Sequence, residues 1–381
     1  MRARILGLFV LCVGCGSSAS SSTSGEHNNP GSSTPISGGG GGGSGSSGGD
    51  SFGGGSSSGS SSGGSSGGAS TGTGGSDAGI PGDVLTAGAW DDNRNYDFFS
   101  AYLAANAALG GGIPPIAAGD RNAANALFIG NRAAKQRLDI AIVLDTTGSM
   151  GDEASYLSSE FQSISAAIDS QFPNADQHWA LVAYRDRPDT DPGDDYVVKS
   201  WDFTTDLAAY QSTIAALTAG GGGDTPEAPD LGLATANTLS WRLDADVARL
   251  AFWVADAPQH EQYASAMAQD FSDAHGKDIH LYPVSASGAD ELLEYTMRTG
   301  AQLTGGRYLF LTDDSGIGDP HLVPTIPCYF VTKLGKAMVR MVSIELSGVY
   351  AEPDPADIIR VGGNPTAGQC AIDDGGTVTV F

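Results

Sequence analysis

In DTTGSMGDE, residues 145–153, a carboxylate, two spaced hydroxyls and an acidic pair follow directly on the aliphatic run LDIAIVL. Asp145, Thr147 and Ser149 are two residues apart, and side chains in extended chain repeat direction at that interval, so three oxygen groups are expected to face one space. A carboxylate with two hydroxyls gives a hard cation such as Mg²⁺ part of an octahedral oxygen shell and leaves room for water. Taken alone, the stretch reads first as an Asp and hydroxyls capping the following helix.

Two other segments bring matching chemistry. GGGGDTPEAPD, residues 220–230, is a glycine loop leading to Thr225, with Pro226 suited to the first turn of a helix. RLAFWVADAPQH, residues 249–260, delivers a second carboxylate, Asp256, from the end of another apolar run. These groups need a scaffold that collects strand ends. Short apolar runs at 139–144, 179–184, 196–203, 249–255, 278–284 and 307–311 predict strands. Helical patterns are expected at about 152–171, 206–218, 226–241, 260–275, 290–300 and 329–346. Near-continuous apolar strands alternating with helices imply an α/β fold: a doubly wound, mostly parallel sheet with helices on both faces. Ligands of such sheets lie at the carboxyl ends of the strands, where Asp145 and Asp256 are expected.

Asp145, Thr147, Ser149, Thr225 and Asp256, in that order on that pattern, resemble the metal-ion-dependent adhesion site of von Willebrand factor A (VWA) domains, Asp-x-Ser-x-Ser followed by a distant Thr and a distant Asp. The resemblance runs from residue 138 to about 346, and Thr147 replaces the first serine while keeping its hydroxyl. It implies a Rossmann-like VWA fold that binds Mg²⁺, or Ca²⁺ or Mn²⁺. It also implies a cation left electrophilic enough to accept a carboxylate from a protein ligand, which is binding and not catalysis. Asp152, Glu153 and Glu227 resemble acidic residues of the integrin β-subunit version, where they help hold an adjacent cation. The simpler reading of acids at a helix start is dipole stabilisation, worth about 0.3–1 kcal/mol each.

Enzyme signatures fail. HEQYA at 260–264 lacks the second zinc-protease histidine, TTGSMG lacks the first glycine of a serine-hydrolase elbow, and no glycine loop ends in Gly-Lys-Ser/Thr. His178, His260, His275, His280 and His321 show no zinc spacing and read as scattered surface or loop histidines. The acidic loops 185–195 and 312–319 combine carboxylates with Gly and Pro but do not match the calcium loop ending in Glu, so they read as solvated.

The chain of 381 residues carries 19 basic and 44 acidic side chains, a net charge of -25, which disfavours nucleic acid and anionic lipid headgroups as partners of its surface. MRARILGLFVLCVGC has the charge, apolar core and small residues of an export signal. It is similar to a bacterial lipoprotein signal with Cys15 as the lipidated residue, although Cys12 stands where such signals usually have Leu. Residues 16–82 are almost wholly Gly and Ser, predicting a disordered linker with a reach of about 45 Å. The expected organisation is a signal and lipobox at 1–15, that linker at 16–82, a helical N-terminal annex at 83–137, the VWA domain at 138–346 and a C-terminal appendage at 347–381. In an exported chain Cys328 and Cys370 are expected to form a disulfide, two free thiols being the alternative. The functional expectation is a lipid-anchored adhesion or protein-binding module of the cell envelope, at the outer membrane or cell surface. An envelope scaffold with a purely structural metal and a metal-dependent hydrolase are the alternatives.

Overall fold

The computed structural model describes residues 82–91, 96, 99–101, 112–114, 116–129, 132–188, 194–223, 225–367, 369–371 and 376–379. The expected signal, Cys15 and nearly all of the Gly/Ser linker lie outside these residues, as does most of the stretch 91–106 within the expected helical annex.

The strands are β1 Thr86–Ala89, β2 Arg137–Asp145, β3 Asp176–Tyr184, β4 Val198–Thr204, β5 Val247–Ala255, β6 His280–Ser285, β7 Leu309–Leu311, β8 Tyr329–Lys333 and β9 Arg360–Gly362. They form one sheet in the order β4-β3-β2-β5-β6-β7-β1-β8-β9. The run β3-β2-β5-β6-β7 is parallel, with antiparallel strands flanking it. The helices are α1 Ala118–Ile129, α2 Gly151–Gln171, α3 Leu207–Ala215, α4 Pro229–Asn237, α5 Ala264–Gly276, α6 Glu291–Thr304 and α7 Leu334–Ser347.

Alternation along the central strands builds two cores. Leu138, Ile140, Ile142 and Leu144 of β2 pack with Leu157 and Phe161 of α2, Ile214 of α3 and Met341 of α7. Ala141 and Val143 face the other way, toward Leu233 of α4, Phe271 of α5 and Leu293 of α6. Burial on both faces explains why these strands read as continuous apolar runs. The fold is the expected doubly wound, mostly parallel α/β sheet. Because β2 lies between β3 and β5, the chain leaves it to one side and later returns on the other, creating a crevice at their carboxyl ends.

Two regions differ from the sequence expectation. Residues 83–137 are not only a helical annex: Thr86–Ala89 inserts between β7 and β8 as β1. The sequence TAGA is too short and small-sided to show alternation, and its place is set by long-range contacts. The backbone N–H groups of Val84 and Leu85 donate to Glu160 of α2, and Gly88 lacks the Cβ that would collide with the Phe310 ring. The helix expected at 329–346 begins only at Leu334, because YFVTK is strand β8. Cys328 and Cys370 are disulfide-bonded with Cα atoms 5.9 Å apart. The bridge ties the residue before β8 to a small hairpin formed by β10 Gln369–Ala371 and β11 Thr377–Thr379.

Candidate metal centre

The parallel register sets Leu144 beside Val254, so Asp145 ends β2 one residue below the level of Asp256, which follows β5. Beyond Asp145 the chain does not stay extended. Thr147 N donates to Asp145 Oδ1 at 2.9 Å, and Gly148–Met150 closes a 3₁₀ turn into α2. Asp145, Thr147 and Ser149 still meet: the Thr147 hydroxyl donates to Asp145 Oδ1 at 2.7 Å and lies 3.2 Å from Ser149 Oγ. Their convergence comes from this turn and not from uninterrupted alternation.

The glycine loop is tied to both strand ends. Gly148 N donates to Gly221 O at 2.9 Å and Gly220 N to Thr146 O at 3.0 Å, while Glu227 N donates to Pro258 O at 3.0 Å. Gly222 has φ of +66°, and a Cβ there would stand 2.5 Å from Glu227 Oε1 and 2.7 Å from Thr147 Cβ. The loop therefore needs glycine to approach β2. Thr225 is exposed between these ties, and Ser149 is exposed at the other wall.

Electrostatics marks the centre of the crevice. Asp145 and Glu227 are each 1 % exposed, and among the described residues no donor reaches Asp145 Oδ2 or Glu227 Oε2. Burial, reinforced by Asp256, pushes the Asp145 carboxyl up to about 8, against the pull of its Thr147 bonds. Burial, with Asp145, Asp186, Asp256 and Asp194 around it, pushes Glu227 up to about 10. Behind Asp145, the Tyr184 hydroxyl takes a hydrogen bond from Trp253 Nε1 at 3.0 Å. Asp145 and Glu227 make no ion pair among the described residues, although neighbouring acids do: Arg185 meets Asp194 at 3.3 Å, Arg187 meets Asp230 and His260 Nε2 meets Asp186 at 2.7 Å.

The expected residues thus fall into groups. Asp145, Thr147 and Ser149 are hydrogen-bonded together, Asp256 is within electrostatic reach of Asp145, and Thr225 lies on the loop that closes over them. Glu227, read as a possible contact to an adjacent cation, is buried beside Gly222 in the crevice wall. Glu153 points away: it is fully buried, 2.7 Å from His321 Nε2, and accepts from Ser287 N at 3.3 Å. The Asp152 side chain lies outside the described set.

Two sequence expectations need correction. Asp186 is buried and the Asp194 side chain is 2 % exposed, so neither is a solvated loop acid; His260 pairs with the first and Arg185 with the second. His260, His280 and His321 are buried and carboxylate-paired, not scattered on the surface. Burial works against charge on His280, but Glu345 and Asp278 outweigh it and hold the imidazole above its ordinary value. No local spacing signals such pairs, because their partners lie far away in sequence.

A crevice of clustered oxygen groups at the switch point of a doubly wound sheet defines a class of α/β ligand-binding domain. Residues 139–284 match the family model of the von Willebrand factor A domain, and the chain carries such a domain. An ariadne-like RING finger protein of Acanthamoeba polyphaga mimivirus is 37 % identical over 128 residues, 33 % of this chain and 11 % of that protein. The pilus adhesin SpaC of Lactobacillus rhamnosus GG in its open conformation aligns at 12 % identity and TM-score 0.36, covering 48 % of this chain and 29 % of the adhesin. A second form of that adhesin aligns at 11 % identity and TM-score 0.34, covering 45 % and 28 %. The chain therefore spans only a minor part of each of these proteins. The family match supports an adhesion or protein-binding module. No helix among the described residues is long and apolar enough to cross a membrane.

Proposed function

We propose that this chain is a divalent-cation-dependent protein-binding module, with Asp145, Thr147, Ser149, Thr225 and Asp256 holding Mg²⁺, or Ca²⁺ or Mn²⁺. The observation that carries the reading is the buried acidity of the crevice: burial and Asp256 raise the Asp145 carboxyl to about 8, and no basic side chain among the described residues pairs with it. Taking a carboxylate from water without a partner is costly, and a bound cation removes that cost. The donor set fits a hard cation, being oxygen only and partly neutral. When bound, the cation supplies an electrophilic position for a ligand carboxylate. Asp145 orients the Thr147 hydroxyl, and Gly222 lets the Thr225 loop approach.

The module acts by binding and not by turnover, and it is tethered to the cell envelope through lipid on Cys15 and the Gly/Ser linker, at the outer membrane or cell surface. Isothermal titration of the full chain with Mg²⁺, and then with a carboxylate-bearing peptide in Mg²⁺ or chelator, tests the binding reading. Binding lost with chelator agrees with it. Equal binding in chelator would favour a scaffold, and turnover of a chromogenic ester or phosphate would favour a hydrolase. Cys15→Ser is expected to shift the protein out of the membrane fraction; unchanged retention with normal processing removes the lipid anchor.

A further inference from the structure

The segment RDRPDTDPGDD, residues 185–195, leaves the carboxyl end of β3 beside β2. Its first three residues, Arg185, Asp186 and Arg187, are all charged and all buried. Charges taken out of water in succession are costly unless each is paired and hydrogen-bonded. Each of these is, and the partners lie on the two loops that carry the candidate ligands Thr225 and Asp256.

Arg185 holds the chain ahead of Thr225. Its Nη2 donates to Thr218 O at 3.1 Å and its Nη1 to Asp194 Oδ1 at 3.3 Å, and the second oxygen of Asp194 accepts from Gly222 N at 3.4 Å. The Tyr196 ring, its centroid 4.5 Å from the guanidinium, backs this contact. Arg187 holds the chain beyond Thr225. Its fork meets both carboxylate oxygens of Asp230 in the first turn of α4, with Nη1 3.1 Å from Oδ1, and its guanidinium lies 3.5 Å from the centroid of Tyr263. Between the two arginines, Asp186 Oδ1 accepts from His260 Nε2 at 2.7 Å, four residues past Asp256. The arginines thus bracket the Thr225 loop, and the acid between them grips the Asp256 loop. Planar, forked contacts of this kind fix orientation as well as distance.

We infer that Arg185, Asp186 and Arg187 are the positioning residues of the crevice, setting the Thr225 and Asp256 loops against the end of β2. A buried ion pair adds little stability over apolar packing of the same volume, so the use of these pairs lies in the geometry they fix. That the geometry serves a cation rests on the function proposed above. An octahedral cation such as Mg²⁺ is demanding of ligand placement, and loss of a group that orients metal ligands typically costs about 10–100-fold in metal affinity.

The test uses the full chain, Arg185→Gln, Arg187→Gln and the paired variant Arg187→Met with Asp230→Leu, which leaves no buried charge unpaired and so keeps the test open if Arg187→Gln does not fold. Two quantities are measured: amide hydrogen exchange in chelator, and Mg²⁺ affinity by isothermal titration. The amides of Gly220, Gly222 and Glu227 report the Thr225 loop, since each is hydrogen-bonded, and those of β5 report the fold. The loop amides are expected to exchange at least about tenfold faster in the variants while β5 keeps the parent's rates, and Mg²⁺ is expected to bind about 10–100-fold more weakly. Loop exchange equal to the parent's, or faster loop exchange with Mg²⁺ affinity unchanged, overturns the inference and leaves the cation reading standing. Exchange that quickens equally in the loop and in β5 shows a purely stabilising role and overturns it as well. Faster loop exchange in variants of a parent that binds no Mg²⁺ supports the positioning role and overturns the cation reading.

Discussion

Single residues decide whether the crevice holds a cation or merely caps a helix. Thr147 is the informative position, since its hydroxyl links Asp145 Oδ1 at 2.7 Å to Ser149 Oγ at 3.2 Å. Thr147→Ser keeps that link and is expected to keep the response of stability to Mg²⁺. Thr147→Val keeps the shape, removes the oxygen and should abolish the response, as calorimetry with Mg²⁺ and chelator would show. Away from the site, Asp270 provides a control in which an acid is simply buried. Burial, with Asp230 and Asp273 nearby, pushes its carboxyl up to about 8, and among the described residues no donor reaches its Oδ2. The folded pKa lies above the unfolded one, so the folded state retains a proton that the unfolded state loses, and stability falls as pH rises from the ordinary carboxylate range to about 8. Asp270→Asn should therefore raise Tm by a few degrees above that window and make little difference below it. A pH-independent effect in thermal melts would show that charge at Asp270 is not the cause.

At the scale of elements, the parallel centre was legible because β2, β5 and β6 are buried on both faces and read as unbroken apolar runs. The loop supplying Thr225 was legible from its four glycines, although its register was not. Gly222 is the position where that register is fixed, with φ of +66° and Thr147 Cβ 2.7 Å from where a side chain would begin. Gly222→Ala is expected to cost about 1–3 kcal/mol by strain and overpacking and to remove the Mg²⁺ response by pushing the loop away. A variant that melts and responds as the parent does would mean that loop closure does not build the site. β1 escaped sequence reading because TAGA carries no periodic signal and its pairing partners lie more than 200 residues away. β8 was hidden for a related reason: YFVTK runs directly into α7, so the apolar pattern of the helix continues back through it. The carboxylates of Asp186 and Asp194 were unreadable because their segment has loop composition and their burial comes from tertiary contacts such as His260 with Asp186.

For the whole molecule, β1, β7, β8 and β9 extend the sheet beyond the region matched by the family model, so residues on both sides of 139–284 belong to the folded body. The Cys328–Cys370 bridge, 42 residues apart, staples the last of these segments. Reduction is expected to lower stability by about 3–4 kcal/mol in the chain-entropy model while sparing Mg²⁺ binding, because the crevice lies at β2 and β5. Denaturant unfolding of the reduced and oxidised chain, each with Mg²⁺ and with chelator, separates the two effects. The central claim concerns the cation itself. At free Mg²⁺ one hundred times its dissociation constant, linkage predicts about 2.7 kcal/mol of added stability, which for a domain of this size is a few degrees in Tm. On the proposed function, Asp145→Ala removes a ligand, and it relieves the repulsion with Asp256. The decisive measurement is calorimetric melting of the parent chain and Asp145→Ala with Mg²⁺ and with chelator. The account predicts a rise in Tm with Mg²⁺ for the parent and none for Asp145→Ala; an Asp145→Ala protein that still gains stability from Mg²⁺ would contradict it.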